Sequence, residues 1–204
     1  RYSMQQEIEI KIKISEEQKI IMEDWLNKNS KYCGQFEQKN VYIDNPSSSF
    51  FFKNKTGQKD ALKYLRVRFD KNGDSVCFKN WYQDKGTGMT THCDEIEYSV
   101  SSGESALSLF KEIGFIEDQT MEKKRQKYKT DSLEIVIDQV KSNRKTHYNQ
   151  GLFAEIELID CNTDVSKGRK KIFEFLKSLG IIKFTMQISG EGEFAQIDLD
   201  KNFP

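Results

Sequence analysis

Proline is almost missing from this chain: two residues in 204, Pro46 and Pro204. Little therefore interrupts backbone hydrogen bonding, and long strands are permitted almost throughout. Histidine is equally sparse, with His92 and His147 only. The four cysteines (Cys33, Cys77, Cys93 and Cys161) are far apart and form no C-x-x-C pair. A zinc site and a disulfide framework are both unexpected, and four reduced thiols are the simpler reading. No run of about 18 apolar residues occurs, so no membrane span is expected. Net charge is missing too, since Lys+Arg and Asp+Glu are both 32. No overall field draws the protein to nucleic acid, and none is expected as a partner. Repeats and low-complexity tracts are also absent. What is present, 14 Phe and 8 Tyr in 23.9 kDa, suffices for the core of one domain. That domain is taken as residues 4–204, with Arg1-Tyr2-Ser3 set aside as a cloning remnant. No signal-peptide pattern precedes it, and a cytoplasmic location is expected.

Strict alternation opens the domain. In Glu7-Ile8-Glu9-Ile10-Lys11-Ile12-Lys13-Ile14 every odd position is charged and every even one is isoleucine, the pattern of a strand with one apolar face. Ser15-Glu16-Glu17-Gln18 has capping-box spacing and starts a helix to about Asn29. A second helix is expected over Glu104–Ile113, capped from Ser101 and stopped by Gly114. A third is expected over Val165–Leu179, ending at Gly180. Further strands are read at 39–44, 62–69, 74–81, 91–99, 120–129, 132–140 and 152–159. Lys71-Asn72-Gly73-Asp74 and Asp84-Lys85-Gly86-Thr87-Gly88 read as hairpin turns. Residues 45–60 read as a mobile loop and 141–150 as a polar connection. Consecutive strands with few helices predict an α+β fold: an antiparallel sheet or barrel with helices packed on it.

The charged faces are sorted by sign. Glu95 and Glu97 share one face, as do Glu134 and Asp138, and Glu155 and Glu157. Arg66 and Arg68 make a basic pair, and Lys123 and Arg125 another. An ordinary half-buried sheet with its polar face in solvent explains any one strand. Six strands together suggest the opposite orientation, with charges converging on an interior and the aliphatic faces lying beneath helices. Unpaired, such charges would cost several kcal/mol each. They could pair with one another in the empty state, and a polyanion with divalent cations would satisfy them better. Lys and Arg hold phosphate oxygens, and carboxylates offer oxygen ligands to Mg²⁺ or Mn²⁺.

At this point a family resemblance is visible. Glu7-Ile8-Glu9-Ile10-Lys11 resembles the E-x-E-x-K signature of the CYTH superfamily, the triphosphate tunnel metalloenzymes. Further segments resemble it in order: Gln38 to Asp44 (Q-x-x-Y-x-D), Leu65-Arg66-Val67-Arg68 (L-R-x-R), Lys79, Glu95-Ile96-Glu97 (E-x-E), Lys123 to Tyr128 (K-x-R-x-x-Y), Asp138-Gln139-Val140 (D-x-V) and Gly151 to Glu157 (G-x-F-x-E-x-E). The resemblance implies an eight-stranded antiparallel tunnel barrel with a charged interior and helices outside. It implies that Lys11, Arg66, Arg68, Lys79, Lys123 and Arg125 grip a triphosphate. Glu7, Glu9, Asp138, Glu155 and Glu157 would hold one or two Mg²⁺ or Mn²⁺ ions, with Lys11, Glu7 and Glu9 at the catalytic centre. Glu95 and Glu97 would have a secondary role, orienting the cations or serving a second metal. The implied substrate is a small-molecule triphosphate, and relatives allow a homodimer. The closest likeness is to class IV adenylyl cyclases, which make cyclic AMP and pyrophosphate from ATP. The alternatives are a triphosphatase acting on thiamine triphosphate, inorganic tripolyphosphate or ATP, and a non-catalytic polyphosphate- or nucleotide-binding module.

Three segments depart from the family pattern. Asn45-Pro46 replaces Thr-Pro, Asp94 stands where some relatives carry arginine, and residues 184–204 lack a Ser-Tyr segment. Several other features are given no role. His92 and His147 are expected at the surface or in the core, Trp81 and Tyr82 on an apolar outer face, and Lys167–Lys171 on a solvated helix face. Phe50-Phe51-Phe52 is read as a strand edge or a loop over the barrel mouth.

Overall fold

The computed structural model describes residues 5–53, 59–84, 89–143, 150–160, 163–188 and 194–202. The first strand is split into β1 (Gln5–Glu7) and β2 (Glu9–Lys13), with Ile8 between them. Helix α1 (Glu16–Asn29) follows under the expected capping box: Gln18 N donates to Ser15 Oγ (3.1 Å) and Ser15 N to Gln18 Oε1 (3.0 Å). Strand β3 (Lys31–Asp44) begins eight residues earlier than expected because β9 (Ile116–Lys129) pairs with it along its length. Between them come β4 (Phe51–Lys53), β5 (Lys59–Ala61), β6 (Lys63–Asp70), β7 (Asp74–Gln83), β8 (Thr90–Val100) and α2 (Gly103–Glu112). After β9 the chain forms β10 (Leu133–Ser142), β11 (Gly151–Leu158), α3 (Val165–Ser178), β12 (Lys183–Gln187), β13 (Phe194–Asp198) and α4 (Leu199–Asn202).

The α+β class is as expected, but the closed eight-stranded barrel is not. Among the described residues the main sheet has eleven strands in the open order β1-β8-β7-β6-β3-β9-β10-β11-β2-β12-β13, while β4 and β5 pair separately. The extra strands have two sources. Ile8 divides the first strand, and β12–β13 forms a hairpin that pairs with β2 through Thr185↔Lys13 and Met186↔Ile12. Even so, β1 and β2 are contiguous in the chain but pair with β8 and β11 respectively. The segment 5–13 therefore draws two distant parts of the sheet order to either side of itself.

The apolar faces lie beneath helices, as the alternation predicts. Ile8, Ile10, Ile12, Ile135, Ile137 and Ile156 pack with Ile172 and Leu176 of α3, and with Met22 and Leu26 of α1. A smaller core joins Val41, Ile43, Val67 and Val76 to Leu107 of α2. Helix α3 can lie this close because residue 168 is glycine. A Cβ there would meet Ile8 Cδ1 at 2.9 Å and Leu158 Cδ2 at 3.1 Å. The turn at 71–74 forms as expected, with Gly73 at φ 136° and its N–H on the Asp70 carbonyl.

Other details differ from the expectations. Helix α2 is capped by Ser102 rather than Ser101, since the Ser102 hydroxyl is the one that reaches Ser105 N. The supposed loop 45–60 contains the β4–β5 hairpin. Gly86-Thr87-Gly88, His147, Cys161 and Arg1 to Met4 lie outside the described residues. Among the described residues no helix is long and apolar enough to cross a membrane.

Candidate active site

Period two decides which side chains face inward. Along β6, Tyr64, Arg66, Arg68 and Asp70 line a cavity of about 810 Å³, while Leu65, Val67 and Phe69 do not. Among the described residues, eight carboxylates and eight cationic side chains line that cavity. They include every residue assigned a site role from the sequence except Asp138, whose side chain is fully buried behind Arg125.

One corner is rich in acid. Lys79 Nζ lies 2.7 Å from Glu7 Oε2, 2.7 Å from Glu95 Oε2 and 3.3 Å from Glu9 Oε1. Glu157 is paired in register with Glu9, and its side chain makes no hydrogen bond or ion pair among the described residues. Burial, reinforced by Glu7 and Glu9, pushes the Glu157 carboxyl up to about 8. Burial also raises Glu7, to about 7, with Lys79 opposing and Glu9 and Glu95 adding to the rise. For Glu95 burial acts in the same direction, but Lys79 and Arg66 overcome it and hold the group at about 2. The Cys93 thiol, fully buried, packs against this corner with Sγ 3.7 Å from Glu7 Oε2. Ligand atoms of Glu7, Glu9 and Cys93 lie within 4.8 Å of one another.

The neighbouring corner is rich in base. Arg125 grips Asp138 with two hydrogen bonds, Nε to Oδ1 at 2.8 Å and Nη2 to Oδ2 at 2.7 Å, and reaches Glu155 Oε2 at 2.6 Å. Lys123 Nζ is 3.1 Å from both Asp138 and Glu155, and Lys11 Nζ is 3.6 Å from Glu155. Burial would raise both acids, but Arg125 and Lys123 hold each below the usual carboxylate range. Burial lowers Lys123 despite its two acidic partners. Nearby, Arg68 bonds Asn40 Oδ1 (3.1 Å) and Glu97 Oε1 (3.4 Å), and Ser75 Oγ donates to the same Glu97 oxygen. Arg66 is only 6% exposed, and its Nε has no hydrogen-bond partner.

The profile of the CYTH domain matches residues 5–187. The chain belongs to the CYTH family. A "Putative adenylate cyclase" of Methanocaldococcus jannaschii is 28% identical over 179 residues, covering 87% of this chain and 91% of its own length. The PH1012 protein of Pyrococcus horikoshii OT3 has a solved structure with TM-score 0.64 and 26% identity, over 86% of this chain and 90% of its own. A "putative adenylyl cyclase" from Hippeastrum, described as revealing a dominant triphosphatase activity, shares the fold at TM-score 0.57 and 15% identity, covering 93% of each chain.

The sequence reading of this CYTH chain missed part of the cavity wall. Trp81 lines the cavity instead of an outer face, and its parity with Lys79 is the signal that could have placed it. Arg169 also lines the cavity. Its Nη1 donates to the Thr90 carbonyl at 2.9 Å, and its guanidinium lies 5.5 Å from the Phe173 ring. Arg169 falls three residues before Ile172 and four before Phe173, on the buried stripe of α3, which distinguishes it from the exposed Lys167 and Lys170. His92 takes no part in the cavity and stacks on Tyr82, 4.7 Å between ring centroids. Asp94 accepts from the Tyr82 hydroxyl at 2.6 Å.

Proposed function

We propose that this CYTH protein is a divalent-metal-dependent enzyme acting on a triphosphate, and that its reaction is conversion of ATP to cyclic AMP and pyrophosphate. The observation that carries the triphosphate reading is the division of charge in one cavity. A surplus of carboxylate stands beside a surplus of cation, with Arg66 buried between β3 and β7 and its Nε without a hydrogen-bond partner. A buried donor left without a partner is costly, and an anionic phosphate oxygen is the partner it lacks.

The donor set fits a hard divalent ion. Glu7, Glu9 and Glu157 offer carboxylate oxygens with one ammonium among them, which suits Mg²⁺ or Mn²⁺. When bound, such an ion supplies charge neutralisation on the phosphate oxygens. Asp138 and Glu155 belong to the same expected ligand set. Both pair with Lys123 and Arg125, and they would become available to a metal where those cations turn to phosphate. Lys11, Arg66, Arg68, Lys79, Lys123 and Arg125 grip the triphosphate chain by charge-assisted hydrogen bonds. Glu95 and Glu97 orient Lys79 and Arg68. Phosphoryl chemistry needs little beyond this positioning and neutralisation. In the cyclase reaction the ribose 3′-oxygen attacks the α-phosphorus, and the bond to the pyrophosphate oxygen breaks.

The cyclase reading is supported by the name of the Methanocaldococcus relative. The second reading is hydrolysis at the γ-phosphorus of ATP, thiamine triphosphate or tripolyphosphate. It is favoured by the dominant triphosphatase activity of the Hippeastrum protein, which shares the fold. Incubation with each of the three triphosphates, with Mg²⁺ or Mn²⁺, separates them. Cyclic AMP from ATP is the expected product. Orthophosphate alone would replace the cyclase reading by the hydrolytic one, and binding without turnover of any of them would leave a capture module.

A further inference from the structure

The acid-rich corner already holds a cation, and it is part of the chain. Lys79 Nζ is within hydrogen-bond distance of carboxylates on three different segments: Glu7 on β1, Glu9 on β2 and Glu95 on β8. The Lys79 side chain is only 7% exposed, while Glu7 and Glu9 are each 13% exposed. Its ammonium therefore sits against the same oxygens that the proposed function assigns to a divalent ion. Two cations cannot share those oxygens at this range without strong repulsion. We infer that Lys79 is a resident stand-in for the metal, so that a divalent ion enters the corner only when a triphosphate draws the ammonium away. Resting on the reading of the cavity as a metal–triphosphate site, this goes beyond it by assigning the order of events. Metal alone is held off by Lys79, and triphosphate opens the site to it.

The surroundings support the exchange. A displaced Lys79 needs another anion, because a buried ammonium without a partner is unstable. Its strand neighbours point the same way. Tyr64 stands opposite it in register and Arg66 lies two residues along the same face, directed into the cavity. An anion drawn to Arg66 is thus also within the field of Lys79. Lys79 lies 5.7 Å from the Trp81 ring centroid, so a second, cation–π position borders the first. Glu157, with no side-chain ion pair among the described residues, stands opposite Glu9 in register.

The test is Mn²⁺ binding to the full chain, measured from the paramagnetic resonance of free Mn²⁺. It is run with and without the bismethylene analogue of tripolyphosphate, which neither cyclase nor hydrolase chemistry can cleave. Wild type is expected to bind Mn²⁺ weakly alone and at least about tenfold more tightly with the analogue. Lys79→Met is expected to bind Mn²⁺ alone at least about tenfold more tightly than wild type, and to lose most of the enhancement. Lys79→Gln, which can still hydrogen-bond to the carboxylates, carries the test if the Met variant fails to fold. Unchanged or weaker Mn²⁺ binding by the folded variant would overturn the inference while leaving the proposed function standing. Failure of wild type to bind Mn²⁺ even with the analogue would overturn both.

Discussion

Two corners of one cavity, one step apart on the same pair of strands, treat buried charge in opposite ways. On β2 the sign changes between Glu9 and Lys11, and on β11 their register partners are Glu157 and Glu155. A two-residue step spans roughly 6–7 Å. On one side three carboxylates surround one ammonium with Glu157 as an unpaired fourth, and Glu7 and Glu157 are pushed up to about 7 and about 8. On the other side three cations meet two carboxylates, and both acids are held low by Arg125 and Lys123. Burial acts alike in both corners, so pairing makes the difference. The base-rich corner is internally satisfied and serves as structure until an anion arrives. The acid-rich corner is short of positive charge and is kept in that state.

The sharpest way to break the comparison is to unpair the satisfied corner. Asp138→Asn leaves Arg125 and Lys123 buried with one carboxylate between them, and removing one partner of a buried pair costs about 3–5 kcal/mol. For a chain of this size a melting temperature lower by roughly 10 °C is expected. Thermal unfolding of the metal-free protein measures it, and a loss below about 1 °C would mean that the pairs carry no structural weight. Next in size is the acid-rich corner, where loss should fall on function. Glu7→Ala is expected to reduce turnover on the order of 10²–10³-fold while the fold survives. Full activity in that variant would remove Glu7 from the metal set. Smaller again are the effects expected at two cations of the cavity wall. Lys11→Ala and Arg68→Ala should each raise the triphosphate KM about tenfold or more and slow kcat, since one charge-assisted hydrogen bond is worth about 1.5–3 kcal/mol. Unchanged steady-state kinetics would exclude them from the phosphate grip.

Which residues face the cavity could be read from the alternation, because a strand's period of two places residues two apart on the same side. Glu7, Glu9, Lys11, Arg66, Arg68, Glu95 and Glu155 were found that way, and Lys79 through the family resemblance. Their division into two corners could not be read, because it depends on register. Arg125 meets Asp138 as a direct cross-strand partner, and Lys79 meets Glu95 in the same way. Sequence distance does not encode those pairings. Arg169 escaped for a different reason: it enters the cavity from a helix, and only the close approach at Gly168 brings it there. The hairpin β12–β13 escaped because its strands are short and its outer face polar. Without its pairing to β2, nothing local distinguishes it from a terminal loop.

The finest distinction between the corners is a matter of pH, and Glu157 isolates it. Its carboxyl is raised from the usual 4.5 to about 8 in the folded state, burial first and Glu7 and Glu9 after. Between those values the native state holds a proton that the unfolded chain releases, so stability falls as pH rises through this window. At pH 5 the folded group is protonated and the unfolded one is only just past its midpoint, so the group costs little; above pH 8 the folded protein must bury its charge. Glu157→Gln cannot ionise. The variant should melt with wild type near pH 5 and at least about 2 °C above it near pH 9, in metal-free buffer of constant ionic strength. Saturating Mg²⁺ or Mn²⁺ with the uncleavable triphosphate analogue should invert the order at pH 9, because only wild type then gains a partner for its carboxylate. A difference that stays flat from pH 5 to 9 would mean that Glu157 is ionised throughout, and that the acid-rich corner has no deficit of positive charge for a metal to fill.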